Sequence, residues 1–188
     1  MDKQMTTINW RLRRAVETLE AGGVIAYPTE AVFGVGCDPW DEDALLDLLE
    51  LKQRPWEKGL ILIAADFNQL QDFIQPVPAD TLKQLQQTWP GPVTWLLPVR
   101  EEVSELLTGE HDTIAVRVTA HQQTRDLCNA FGGAIVSTSA NVAGVRPAMN
   151  AHQVRWQLPG IDYVMPGSLG GATQPSQIRD ARTGAILR

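Results

Sequence analysis

The sequence predicts a single α/β domain built on a twisted, mixed, open sheet flanked by helices. Three observations carry that expectation. Segments with helical apolar spacing alternate with short apolar runs through the first two thirds of the chain, as in strands covered by helices. The last stretch, around Ile178 and Ile186, reads as a hairpin turning at Thr183-Gly184, so the sheet is mixed rather than all parallel. The chain's 188 residues, 44 % hydrophobic and 20 % charged, suffice for one substantial core and show no internal repeat, linker or low-complexity segment. The expected domain covers residues 7–188.

The elements follow in order. Ile8, Leu12, Ala15, Val16 and Leu19 have helical spacing, with arginines on the other face, and Gly22-Gly23 ends the helix. Val24 to Thr29 reads as a buried strand stopping at a proline turn, which leaves Thr29 and Glu30 at its end, where open α/β sheets place ligands. Gly34 and Gly36 mark either a turn or a backbone that something approaches closely. Asp41 is placed to cap a helix with Leu45, Leu48 and Leu49 on its apolar face. Leu60 to Ala65 is a continuous apolar run, hence a strand covered on both sides. A short helix over Phe67–Phe73, a proline connector and an amphipathic helix over Asp80–Trp89 come next. A turn and strand occupy Trp89–Val99, with Thr94 near the strand's start, and Glu101–Glu110 is polar and reads as a mobile flap. Thr113 to Val118 is a strand interrupted by Arg117, which needs an anionic partner or an edge position. A helix over Thr124–Phe131 precedes Ala134–Asn141, an apolar strand that turns abruptly into Ser137, Thr138, Ser139 and Asn141. A short helix over Ala151–Gln157, a short strand over Asp162–Met165 and a glycine-rich stretch, Gly167–Ser176, able to fold over a ligand, lead to the terminal hairpin.

Two stretches carry chemistry. The chain has four lysines and a net charge of −6, yet Lys52, Arg54 and Lys58 fall within ten residues, on a loop braced by Pro55 and followed by Gly59. Three cations on an exposed loop suit a polyanion such as a nucleotide triphosphate. Four small polar groups at a strand's end can hold phosphate, carboxylate or ribose, against the alternative of a hydroxyl-rich helix cap. Absences narrow the chemistry. There is no GxxxxGK[ST] loop and no GxSxG elbow, and His111, His121 and His152 stand apart from one another, so neither a covalent nucleophile nor a protein metal site is expected. Such a site works by positioning and charge neutralisation. Cys37 and Cys128 form no CxxC pair and read as reduced packing thiols. Met1–Asn9 is polar, and no apolar run approaches the ~20 residues of a membrane span, so the expected location is cytoplasmic.

Taken together, YPTEAVFGVGCD from Tyr27, LLELKQRPWEKGLILIAA from Leu48, WPGPVTWLLP from Trp89, LTGEHDTIAVRVT from Leu107, IVSTSANVAG from Ile135 and PSQIRDARTGAILR from Pro175 closely resemble the YrdC/TsaC family of threonylcarbamoyl-AMP synthases, in its short bacterial form. The combination of KxRP with STSAN is highly specific. The resemblance implies a YrdC-like fold and a reaction joining L-threonine, bicarbonate and ATP into threonylcarbamoyl-AMP and pyrophosphate. Partner proteins then transfer the threonylcarbamoyl group to the adenosine beside the anticodon of tRNAs. It implies that Lys52, Arg54 and Lys58 bind the triphosphate, that Ser137, Ser139 and Asn141 hold the nucleotide on the opposite wall, and that Thr94 and Arg179 complete the cavity. Thr29, Arg117 and Thr138 would orient threonine. Mg2+ is expected on the ATP phosphates, mainly through ATP oxygens and water. Longer two-domain relatives have His-Pro where this chain has Lys58-Gly59 and Tyr where it has Phe33, so roles at those positions carry over only weakly. With no second domain, any lid comes from Gly167–Thr173.

A rival reading is a non-catalytic module holding tRNA or double-stranded RNA in the same concavity; 22 acidic against 16 basic residues and the lack of an aromatic platform weigh against it. Carbamoyl-adenylate formers of the hydrogenase-maturation type contain a similar domain but carry extra modules for which this chain has no room. A monomer is expected. Lys52→Ala is expected to abolish most adenylate formation with the fold intact, and Ser139→Ala to weaken ATP binding more than threonine binding.

Overall fold

The computed structural model describes residues 9–187; Ile8, with which the first helix was expected to begin, and the rest of the polar Met1–Ile8 stretch lie outside them. Helix α1 spans Trp10–Glu20 and is capped by the Asn9 side chain, which accepts from the Arg11 amide. It packs on α5, Gln122–Phe131, and together they cover one apolar cluster: Ala15 and Leu19 of α1, Leu127 and Cys128 of α5, and Ile25, Tyr27, Ile63 and Ile135 from strands. Helix α2, Glu42–Lys52, is capped by Asp41 as expected. With α3, Ala79–Thr88, and α4, Glu105–Thr108, it supplies Ala44, Leu45, Leu48, Leu85 and Leu107 to the second and larger cluster. No helix among the described residues is long and apolar enough to cross a membrane.

The α/β class with mixed pairing holds, but the strands hydrogen-bond into two sheets rather than one. In the first, the order is β7 (Thr138–Ser139), β2 (Phe33–Gly36), β1 (Ile25–Pro28), β8 (Tyr163–Val164). In the second, it is β6 (Ile135–Val136), β3 (Ile61–Ala64), β5 (Thr113–Val118), β4 (Val93–Pro98), β9 (Gln177–Asp180). The segment read as a single strand, Ala134–Asn141, is the hinge between them: β6 pairs with β3, β7 pairs with β2, and Ser137 lies at the crossing. The Ser137 amide donates to the Ile61 carbonyl at 2.7 Å and the Val136 amide to the Cys37 carbonyl at 3.1 Å, which joins the sheets.

The glycines mark the close approach named as one of their two readings, and the approaching group is the chain itself. A Cβ on Gly36 would lie 1.8 Å from the Val136 carbonyl oxygen. The Tyr27 ring crosses Gly34, and its hydroxyl donates to that same carbonyl at 2.9 Å. The Glu101–Glu110 stretch is no flap. Val103, Leu107 and Thr108 are buried there, the Leu60 amide donates to the Leu107 carbonyl at 2.8 Å, and α4 packs against the Trp56–Lys58 3₁₀ turn. Apolar anchors at every third or fourth position outweigh the polar residues between them. The expected hairpin turns at Thr183-Gly184, where Gly184 has φ +73° and the Leu187 amide donates to the Ile178 carbonyl at 2.8 Å.

Candidate active site

Side chains alternate across each strand, so register decides which residues share a face. Tyr27, Gly34 and Ser139 lie in one row across the first sheet. A Cβ on Gly34 would meet the Thr29 methyl at 3.1 Å, which brings Thr29 to that same face. Thr138 pairs with Val35 and belongs to the opposite face, so the structure separates it from Thr29 and Ser139. In the second sheet Ile63 pairs with Arg117. One step beyond the Trp95–Val116 pair, Thr94 falls opposite Arg117. Arg179 pairs with Trp95 instead, its guanidinium 5.7 Å from that ring and its Nε donating to Gln177 at 2.7 Å. It is therefore on the other face from Thr94 and Arg117, and the structure does not bring it to the cavity that the resemblance implied. What remains is a candidate cleft where the two sheets meet: register groups Thr29, Tyr27 and Ser139 on one face of the first sheet and Thr94 and Arg117 on one face of the second, with Ser137 between them at the crossing.

The basic group sits at the rim of the Ser139–Asn141 side. Lys52 is not on an exposed loop: it is the last residue of α2, 3 % exposed, and its ammonium donates to the carbonyls of Ser139 and of Asn141, the latter at 2.8 Å. Burial, with the Arg54 charge adding to it, pushes the Lys52 ammonium down to about 8. Arg54 donates through Nη2 to the Gly59 carbonyl at 2.9 Å, and burial lowers its pKa. Lys58 is exposed. No carboxylate among the described residues pairs with any of the three. On the facing segment Asn141 donates its amide to the Val142 and Val145 carbonyls, both at 2.9 Å.

The other end of the cleft is arranged differently. Arg117 is on the central strand of its sheet, not an edge, and finds its anionic partner in Glu30, Nη1 to Oε2 at 3.2 Å. Glu30 Oε1 accepts from Thr119 Oγ at 2.6 Å and the Ala120 amide at 3.3 Å. Burial alone would raise the Glu30 carboxyl; the Arg117 charge and these donors outweigh it and hold the group below its ordinary value. Thr29 Oγ donates to the Val32 carbonyl at 2.7 Å, and Thr94 Oγ lies 2.9 Å from Ser176 Oγ. The glycine-rich segment is strapped across this end, with the Gly170 amide on the Thr29 carbonyl at 3.0 Å and the Ala172 amide on the Glu30 carbonyl at 2.9 Å.

Four buried side-chain polar atoms among the described residues make no hydrogen bond, and three belong to this cleft: Glu30 Oε2, Arg54 Nε and Asn141 Oδ1. Each such atom costs stability and calls for an explanation in function. Glu30 was placed from the sequence at a strand's end where ligands sit but was given no role, and Tyr27 was not among the expected site residues. The signal for Glu30 was its place after Thr29 at a strand's end; for Tyr27 it was a hydroxyl-bearing ring beside two strand glycines. Cys37 and Cys128 are free and buried, with thiols that burial pushes up, as packing residues should be. A separate cavity of about 580 Å³ opens between α1, α5 and the strap, lined by Arg11, Leu12, His121 and Asp126 among others, without any of the cation trio.

Fold and site together define an α/β protein in which a strand crosses between two sheets beside a group of basic residues, Lys52, Arg54 and Lys58. The Sua5/YciO/YrdC family model, described as "Telomere recombination", matches residues 17–188, and the chain belongs to that family. The threonylcarbamoyl-AMP synthase of Nitrosococcus oceani is 54 % identical over 185 residues, 98 % of this chain and 100 % of that one. The threonylcarbamoyl-AMP synthase of Aliivibrio fischeri is 51 % identical over 180 residues, 94 % of this chain and 97 % of that one. Among solved structures, P. abyssi Sua5 complexed with L-threonine superposes with a TM-score of 0.89 at 32 % identity over 95 % of this chain. It covers 54 % of that chain, so this protein spans about half its length.

Proposed function

We propose that this protein is a threonylcarbamoyl-AMP synthase, forming threonylcarbamoyl-AMP and pyrophosphate from L-threonine, bicarbonate and ATP. The observation that carries the reading is the set of three cations that pair with no carboxylate among the described residues, Lys52, Arg54 and Lys58, beside the Ser137–Asn141 crossing. Such a rim stabilises a triphosphate, and the neutral hydroxyl wall adds acceptors and donors without adding repulsion. The near full-length relatedness to synthases, and the L-threonine named with P. abyssi Sua5, support the choice of substrates.

The amine of threonine takes up carbon dioxide from bicarbonate and loses a proton, giving a carbamate. A carbamate oxygen then forms a bond to the α-phosphorus of ATP while the bond from that phosphorus to the bridging oxygen breaks, and pyrophosphate leaves with the electron pair. No covalent bond to the protein is required, so the cleft's task is alignment and charge neutralisation. Lys52 has three N–H donors; two hold the Ser139 and Asn141 carbonyls and the third is left for a phosphate oxygen. Arg54 Nε and Asn141 Oδ1 find partners on the nucleotide. Arg117 takes the threonine carboxylate and Thr29 borders its side chain. Mg2+ arrives with ATP as part of that substrate, coordinated mainly by phosphate oxygens and water. We extend the reading to a cytoplasmic, monomeric domain over 7–188 that supplies its adenylate to threonylcarbamoyl-transferase proteins acting on tRNA, with a tRNA contact of its own.

The test is mass spectrometry of purified protein incubated with ATP, magnesium, L-threonine and bicarbonate. Threonylcarbamoyl-AMP and pyrophosphate are expected, and both vanish when threonine or bicarbonate is omitted. A folded protein that binds tRNA in a salt-sensitive manner and makes no adenylate would replace this reading with the RNA-binding one.

A further inference from the structure

The two charged ends of the cleft differ in one respect that bears on substrate sorting. Lys52, Arg54 and Lys58 have no carboxylate partner among the described residues, whereas Arg117 has one, Glu30, at 3.2 Å. Both members of that pair are deeply buried, with side chains 10 % and 13 % exposed. The pair is nonetheless loosely matched, since Glu30 Oε2 makes no hydrogen bond despite its nearness to Arg117. Its other oxygen is anchored firmly to Thr119 and Ala120, so the carboxylate is fixed by its surroundings rather than by Arg117. The Thr29 and Glu30 carbonyls, through the strap, fix the backbone at the same point.

We propose that Glu30 is a specificity-determining positioning residue: by compensating Arg117, it makes that arginine a subsite for a single carboxylate and bars it to phosphate. The inference rests on the reading that Arg117 takes the carboxylate of threonine. A triphosphate brought to Arg117 meets the Glu30 charge a few ångströms behind it, and like charges brought together repel. The same triphosphate at Lys52, Arg54 and Lys58 meets cations that no carboxylate among the described residues pairs with. A substrate with one carboxylate and a nearby ammonium loses far less at the compensated end. Glu30 thereby keeps ATP and pyrophosphate from occupying the amino-acid subsite, without touching either substrate.

Glu30→Gln keeps the shape and removes the charge. In that variant the opened subsite takes competing anions, so the apparent KM for threonine rises about tenfold at saturating ATP and falls back as ATP is lowered, while the KM for ATP stays within about twofold. The sharper readout is inhibition by inorganic pyrophosphate. In the wild type it competes with ATP and not with threonine; in Glu30→Gln it competes with threonine as well. A purely structural role would lower kcat without changing the pattern of inhibition. Thr119→Val, which loosens the carboxylate without deleting it, gives a smaller change in the same direction and serves if Glu30→Gln does not fold. An unchanged threonine KM and unchanged pyrophosphate pattern in the folded variants, with normal wild-type product formation, would overturn this inference alone. A wild type that forms no adenylate would overturn the reading of the reaction and this inference with it.

Discussion

Lys52 shows most clearly what a single residue does in this cleft. Two main-chain carbonyls across the sheet boundary end on its ammonium, so Lys52→Met strips both of their partner in a buried setting. The expected loss is about 2–4 kcal/mol, read from chemical denaturation, with most adenylate formation lost as well. The expectation that the fold would be indifferent to removing this lysine presumed an exposed loop, and fails because the side chain is 3 % exposed. Its protonation gives a second prediction. The folded value of about 8 lies below the ordinary lysine value of 10.5, so between these two the unfolded chain holds a proton that the folded protein has shed. This group's contribution to stability therefore rises with pH across that window and is constant at its least favourable level below it. Phosphate binding runs the other way, because it needs the ammonium. Calorimetry should find ATP affinity in the free protein falling as pH passes about 8, by up to about tenfold per unit. An affinity flat across that range would remove Lys52 from the phosphate site. Arg179 supplies the contrast. Its guanidinium stacks on Trp95 on the far face, so Arg179→Gln should cost about 0.5–1 kcal/mol of stability and leave ATP affinity within about twofold.

At the scale of elements, the crossing β6–β7 is the feature on which the site depends. Gly36 has no room for a side chain because the Val136 carbonyl occupies that space. Gly36→Ala forces the two sheets apart at the crossing and should cost about 1–3 kcal/mol or more, with Ser137 and Ser139 displaced and activity lost. Gly133→Ala, where a Cβ meets nothing within 4 Å, is the matched control and should stay within about 0.5 kcal/mol of the wild type by thermal unfolding. The same elements show what the sequence made readable. The cap at Asp41, the apolar run at Ile61–Ala64 and the hairpin at Gly184 follow from local chemistry and appear where expected. Strand β2 was not read as a strand because Gly34 and Gly36 lower strand propensity, while what requires them is tertiary: the Val136 carbonyl at Gly36, far along the chain, and the Tyr27 ring of the paired strand at Gly34. The division of Ala134–Asn141 into two strands of two residues each depends on pairing partners, which no local pattern records. The residue types at the site were readable from the sequence. Their faces were not: Ser139 and Thr138 are neighbours in sequence and look in opposite directions, and Arg117 finds Glu30 only through tertiary packing.

At the scale of the molecule, an acidic chain buries one of its four lysines, Lys52, where two sheets meet, and the meeting point is also where the main chain turns from one to the other. That coincidence explains the architecture's use. A strand crossing between sheets places small polar side chains, Ser137 and Ser139, where the two sheets meet, and the end of α2 beside it supplies the Lys52 charge. The strap at Gly170–Ala172 is bonded to the Thr29 and Glu30 carbonyls, so it covers the end proposed for threonine. Amide hydrogen exchange should therefore slow at Gly170 and Ala172 when threonine is added and change little with ATP alone; protection by ATP alone would assign the strap to the nucleotide. In the proposed reaction one cleft holds both substrates with their charges sorted to its two ends. The most direct measurement is a crystal structure of this protein with L-threonine and a non-hydrolysable ATP analogue. The triphosphate is expected against Lys52, Arg54 and Lys58 and the threonine carboxylate on Arg117. A nucleotide seated instead in the cavity between α1, α5 and the strap, with the cleft between the sheets empty, would contradict it.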